Sequence, residues 1–155
     1  MDHIVYLDAH AKELENLITG NKSMILKASA GRKHSYDKVV EGDVLYFINN
    51  NVMGEVQAKG VVSSVFSSDK LSFEESFEMI INHQDKLQLP DEQFYKLAGK
   101  RYLVLIGLVD VAKLEPFHID RSIFTNMDDC ISVGNIEEAS IDLNIEKASK
   151  EKAIQ

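Results

Sequence analysis

Eight residues of this 155-residue chain have side chains suited to gripping a phosphate or a nucleobase: Lys22, Ser23, Lys27, Arg32, Lys33, Tyr36, Arg101 and Tyr102. Lysine and arginine hold a phosphate or polarise a base carbonyl, and a tyrosine ring stacks on a base. Six of the eight crowd into residues 22–36. The window 22–38 carries five cations against one acid, Asp37, a net +4 in a chain of net −8, so the remainder stands at −12. A protein that lives by non-specific phosphate contacts is usually basic over its whole domain. A local basic patch on a repulsive body instead suits a small or specific anionic ligand. Solvation of a long loop by the same lysines is the plainer alternative, and packing in the core or at its rim is the alternative for Tyr36 and Tyr102.

Other chemistries fit the sequence less well. Gly20-Asn-Lys-Ser23 looks like the tail of a phosphate-binding P-loop, but the lysine does not follow the glycine directly and the upstream glycine is missing. The five histidines are scattered, and one cysteine cannot build a structural zinc site, so no metal and no cofactor are expected. His118 with Asp120 reads as a surface turn. Cys130 has no nearby histidine and follows Asp128 and Asp129, whose charges raise a thiol pKa and blunt its nucleophilicity. Asp128 and Asp129 read as turn or cap residues before they read as an acid–base pair.

The elements that must position the basic cluster follow from spacing and turn chemistry. Ile4 to Leu7 predicts a strand, and Asp8 then caps a helix with Ala11, Leu14, Leu17 and Ile18 on one face, ended by Gly20. Lys22 to Lys27 predicts a second strand, and residues 28–38 a loop. Val44 to Ile48, between Gly42-Asp43 and Asn49-Asn50-Asn51, predicts a third strand, paired as a hairpin with Glu55 to Phe66, with Gly54 at the turn and Gly60 at a bulge. Ser72 and Glu75 form a capping-box pattern ahead of an amphipathic helix, and a second helix runs from Pro90 to Gly99 with Phe94, Leu97 and Ala98 on its buried side. Arg101 to Val111 is a central strand, the sequence after Pro116 is irregular, and the last seven residues fray.

Strands on both sides of a helical insertion argue for an α+β domain. The regular strand–helix alternation of a parallel sheet is absent. Length fits one domain over residues 1–134, followed by a polar segment, 135–155. A single cysteine, the Met-Asp-His-Ile start without a basic, apolar leader, and no apolar run near the ~20 residues of a membrane helix lead to the expectation of a cytoplasmic protein with no membrane partner.

The order helix, Gly-x-Lys-Ser-x-x-x-Lys, basic loop, Gly-Asp-Val-Leu-Tyr-Phe, hairpin, helical insertion and long strand, over residues 10–112, resembles the ASCH domains of the PUA-like superfamily, related to the EVE and YTH modules. The resemblance implies a PUA-like small mixed β-barrel with flanking helices and a cleft between barrel and helix. It also implies two functional classes. Many relatives bind RNA or modified bases in that cleft. Some small ASCH proteins are amidohydrolases of acylated cytidines that use a lysine and a threonine near the early strand, plus a glutamate. Lys22 falls on the family's lysine, whereas the threonine position is Ile25 and the usual arginine is Lys27. Lys27 keeps the charge without the bidentate fork. Ser23 is a poor substitute nucleophile, because neighbouring strand residues face opposite ways. The expected function is therefore non-enzymatic binding of RNA or a modified nucleotide, with hydrolysis of an acylated nucleoside by Lys22 and Ser23 as the alternative.

Overall fold

Two long strands, Glu55–Ser67 (β4) and Tyr102–His118 (β5), form the spine of the fold in a computed structural model that describes residues 1–31, 38–51, 54–119 and 130–140. Around them lie β1 (Asp2–Leu7), β2 (Met24–Ser29), β3 (Val44–Asn49) and β6 (Cys130–Gly134), giving a six-stranded mixed sheet in the order β2-β5-β4-β3-β1-β6. The helices are α1 (Glu13–Thr19), α2 (Phe73–Asn82), α3 (Gln84–Leu87), α4 (Asp91–Leu97) and α5 (Ile136–Ala139). This is the α+β, barrel-like arrangement expected from the sequence.

Alternation along the strands builds the core on both faces of the sheet. On one face Val5, Leu7, Ile25, Leu45, Phe47, Val104 and Ile106 pack with Leu14 and Leu17 of α1. On the other, Met24, Leu26, Leu103 and Leu105 meet Ile80, Leu87, Phe94 and Leu97 from the helical insertion. Each such side chain contributes about 1.5–3 kcal/mol when fully buried. A third cluster, Ile4, Ile48, Val56, Ile119 and Ile136, closes the β1–β6 end.

Bulges bend the spine. The β4–β5 register shifts three times. Opposite Gly60, Asp110 adopts φ 52°, and a Cβ at Gly60 would lie 3.2 Å from Val111 Cγ2, so the expected bulge is present and leaves room only for glycine without adjustment. The bend brings distant strands together. In a flat sheet β1 and β2 would lie four strand spacings, about 19 Å, apart. Lys27 Nζ of β2 nevertheless donates to the Tyr6 carbonyl of β1 at 2.9 Å. The sheet therefore curls on itself, and Lys27 bridges the seam.

Several local signals behave as expected. Gly20 ends α1 with φ 84°, Gly42 turns the chain with φ 93°, and Ser72 and Glu75 form a reciprocal capping box. Other features differ. Asp8 caps a turn, its carboxylate accepting from the Ala11 N–H, and the regular helix starts later, at Glu13. The second strand is shifted towards the C-terminus and ends at Ser29, beyond Lys27. Residues after Pro116 are not irregular at first, since β5 continues to His118. Pro116 is tolerated because it falls in the bulge between the Ala58–Lys113 and Val56–Phe117 pairs, where no ladder N–H is needed. One pair, β1 with β3, is parallel despite the missing strand–helix alternation, because α1 and β2 together make the crossover. β6, antiparallel to β1, has no counterpart in the expected elements.

Candidate functional site

A cleft of about 230 Å³ opens at the seam. Tyr6, Leu7 and Asp8 at the end of β1 form one wall, and Leu26, Lys27 and Ala28 of β2 form the other. Glu13 and Asn50 lie beneath, and Gln93, Lys96, Leu97 and Lys100 of α4 and its exit form the lip. Gln93 and Lys96/Leu97 recur at helical spacing on one side of α4, and Lys100 follows beyond the helix end and the left-handed Gly99.

Glu13 organises the floor. Its Oε2 accepts from the Asp8 backbone N–H at 2.8 Å, and its Oε1 from Gln93 Nε2 at 3.0 Å. That contact fixes the Gln93 amide, because the reversed orientation would set two acceptors against each other. The Gln93 carbonyl oxygen then has no hydrogen-bond partner among the described residues, although Gln93 is buried. A buried acceptor without a donor costs about 1–3 kcal/mol.

Lys22 supports this floor from behind. Its side chain, 1% exposed, donates from Nζ to the Leu87 carbonyl at the end of α3 at 2.6 Å and lies 3.4 Å from Glu13 Oε1. Burial pushes its pKa down; Glu13 pulls the other way, and the charge of Lys27 adds to the fall. Lys22 thus meets the cleft through Glu13 and is not one of its lining residues.

The structure gathers the sequence-predicted residues only in part. Lys27 lines the cleft. Ser23 is exposed at the entry to β2, its N–H bonded to the Lys86 carbonyl, and is not a cleft-lining residue. Arg101 is exposed on the far side of the α4–β5 turn, in a separate groove. Tyr102 is half-buried opposite Ser29 in the β2–β5 ladder. Arg32, Lys33 and Tyr36 lie outside the described residues, as do Asp120, Asp128 and Asp129 and the last seven residues.

Glu13, Asn50, Gln93, Lys96 and Lys100 were not anticipated. The signal for Gln93 and Lys96 was their helical spacing, but Phe94, Leu97 and Ala98 of the same stretch read as its buried side; Lys100, beyond the end of α4, carried no such signal. Ile25, at the position where the resembling hydrolases carry threonine, is fully buried in the apolar cluster with Leu14 and Leu17. Among the described residues no cluster of three or more His, Cys, Asp or Glu side chains could hold a metal, and no helix is long and apolar enough to cross a membrane.

A second polar cluster lies at the β1–β6 end. The fully buried His3 pairs through Nε2 with Asp43 Oδ2 at 2.7 Å and through Nδ1 with Ser132 Oγ at 2.8 Å. Asp43 also accepts from the Val40 N–H and the terminal ammonium of Met1. Burial pushes the Asp43 pKa up, but the His3, Val40 and terminal-amine contacts outweigh it and hold the carboxyl below its ordinary value. These contacts tie β6 and the Gly42 turn to β1, a clasp that holds the sheet.

No protein-family model matches the chain, and no curated protein matches it. Its structure is similar to the crystal structure of ASCH from Zymomonas mobilis (TM-score 0.62, 10% identity, 88% of this chain and 90% of that one). Crystal structures of two single-site mutants of the same protein give TM-scores of 0.63 at 10% identity, again over 88% of this chain and over 93% and 91% of theirs. The likeness extends over nearly the whole length of both proteins, and the chain has the ASCH-domain fold.

Proposed function

We propose that this ASCH-fold protein binds RNA or a modified nucleotide, one base at a time, in the cleft at the β1–β2 seam, without breaking it down. The observation that carries this reading is the pairing of a small polar floor with a basic lip. The cleft, about 230 Å³, is below the range of about 300–1,000 Å³ typical of drug-sized ligands and suits a single base or nucleoside. Glu13 and Gln93 set a carboxylate and an amide into its floor, where they can select for the polar edge of a base. Lys96 and Lys100 stand at the lip, where a 5′-phosphate would emerge. The chain's net −8 keeps generic affinity for nucleic acid low, so occupancy depends on the fit of the base.

A hydrolase reading draws on one observation, a buried lysine of lowered pKa beside a glutamate. It lacks the nucleophile, since Ile25 faces the apolar core and Ser23 is outside the cleft lining. We expect no turnover of acylated cytidines.

The test is a fluorescence titration of labelled single-stranded RNA and matching DNA, at low and near-physiological salt. Wild type should bind saturably, with a preference for RNA. Lys96→Ala/Lys100→Ala should weaken binding and flatten the logarithmic salt slope by about 1.4, two single-strand phosphate contacts. Unchanged affinity and slope in the double variant would overturn the proposal.

A further inference from the structure

On the outer side of the turn that carries Lys100 lies a second, wider groove of about 540 Å³, lined by Lys70, Leu71, Ser72, Phe73, Gly99 and Arg101. Its wall is an aromatic ring left 67% exposed. An exposed phenylalanine normally gains by folding down against its own helix. Phe73 is held out by its surroundings. The Ser72–Glu75 capping box fixes the start of α2, and the Leu71 N–H donates to the Arg101 carbonyl at 2.7 Å, pinning this segment to the turn. The ring then lies on Gly99, where an added Cβ would fall 2.4 Å from Phe73 Cε2. Behind it, Phe77 stacks at 6.1 Å and passes the support to Phe94 at 5.1 Å. The ring is a supported platform that stays exposed.

The charges on its two sides differ. The wide groove is lined by Lys70 and Arg101 and by no acid. The smaller recess on the other flank of the ring, between Phe73 and Phe77, is lined by Glu74 and Glu78. An anionic ligand stacked on Phe73 is therefore directed to the Arg101 side. The groove and the cleft also share one short segment: Leu97 and Lys100 face the cleft, whereas Gly99 and Arg101 face the groove. Lys100 and Arg101 are consecutive and stand on the two sides of this one segment, so a strand leaving the cleft over Lys100 must cross the turn to meet Arg101.

We propose that this groove takes the next nucleotide of a single-stranded nucleic acid, its base stacked on Phe73 and its phosphate on Arg101 and Lys70, while the neighbouring base occupies the cleft. The inference rests on the cleft reading above and extends it: the preferred ligand is a single strand of at least two nucleotides, not a free nucleoside. An exposed ring beside cations, across one short turn from the cleft, is what base stacking with backbone neutralisation requires.

The experiment compares nucleoside 5′-monophosphates with a mixed-sequence RNA hexanucleotide by calorimetry, on wild type, Phe73→Ala, Phe73→Trp, Arg101→Ala and Lys96→Ala/Lys100→Ala, with sedimentation of each protein alone. Wild type should bind the hexanucleotide more tightly than the monophosphate. Phe73→Ala should weaken the hexanucleotide about 5- to 150-fold and leave the monophosphate unchanged, and Phe73→Trp should restore it. Arg101→Ala should weaken the hexanucleotide and lower its salt slope. Monophosphate binding with no gain for the longer ligand and no effect of Phe73→Ala overturns this inference alone. Absence of both ligands from wild type overturns the cleft reading, and this inference with it. A Phe73-dependent dimer whose hexanucleotide affinity does not change in Phe73→Ala assigns the surface to a second copy of the chain and overturns the proposal.

Discussion

Lys22→Met separates a lysine that grips a ligand from one that supports the residues that do. The Lys22 ammonium lies 3.4 Å from Glu13 Oε1 and has 1% of its side chain exposed. At an effective dielectric near 20, that separation corresponds to roughly 5 kcal/mol of attraction. Desolvation outweighs that attraction, as the lowered pKa of Lys22 shows, so the intact pair is not itself a large source of stability. Removing one member is a different matter. Glu13 would stay buried with two donors in place of three, and the Leu87 carbonyl would lose its 2.6 Å donor. Loss of one partner from such a pair costs about 3–5 kcal/mol. For a domain of this size that corresponds to a fall in Tm of roughly 6–20 °C. The assay is urea unfolding of wild type, Lys22→Met, Glu13→Gln and the double variant. The double variant should lose less than the sum of the singles, by about 2 kcal/mol or more. Additive losses, or a Lys22→Met protein that is fully stable and fails only to bind nucleotide, would refute the supporting role.

Three further predictions follow from single contacts. Ile25→Thr, which restores the hydrolase family's residue, should destabilise the fold by about 2–4 kcal/mol, because it places a hydroxyl among Leu14, Leu17 and Ile106, and it should produce no turnover of acylated cytidine; urea unfolding and a product assay check both. Gly99→Ala should cost about 1–2 kcal/mol in unfolding experiments from its φ of 88° alone. It should also weaken oligonucleotide binding by dislodging the Phe73 ring. Asp43 is held below its ordinary carboxylate pKa, so its contribution to stability is complete above that ordinary value and lost as pH falls through the folded one. Thermal unfolding between pH 2 and 5 should therefore fall less steeply in Asp43→Asn than in wild type; parallel curves would count against the clasp.

Much of the scaffold was legible because its signals are local. Gly20, Gly42 and the Ser72–Glu75 box specify geometry within four residues, and the unbroken apolar run from Leu103 to Ile106 marks a strand buried on both faces. The curl of the sheet was not legible. It depends on where bulges fall in β4 relative to β5, and on a lysine reaching across strands that are not neighbours. The cleft was hidden for the same reason. Gln93 and Glu13 meet across 80 residues, and neither stands out in its own segment. The basic cluster, by contrast, stood out by composition, but composition says nothing about direction: Lys22 turns inward, Lys27 lines the cleft and Arg101 faces the opposite side of a turn.

The most direct test of the central claim is a nitrogen-15 NMR titration with nucleoside 5′-monophosphates, following the Gln93 side-chain amide together with the backbone amides of Lys27, Ala28 and Asn50. Saturable shifts concentrated on these groups, for at least one base, would place the ligand in the cleft as proposed. Shifts confined to other surfaces, or a Gln93 amide unmoved at saturation, would contradict the account.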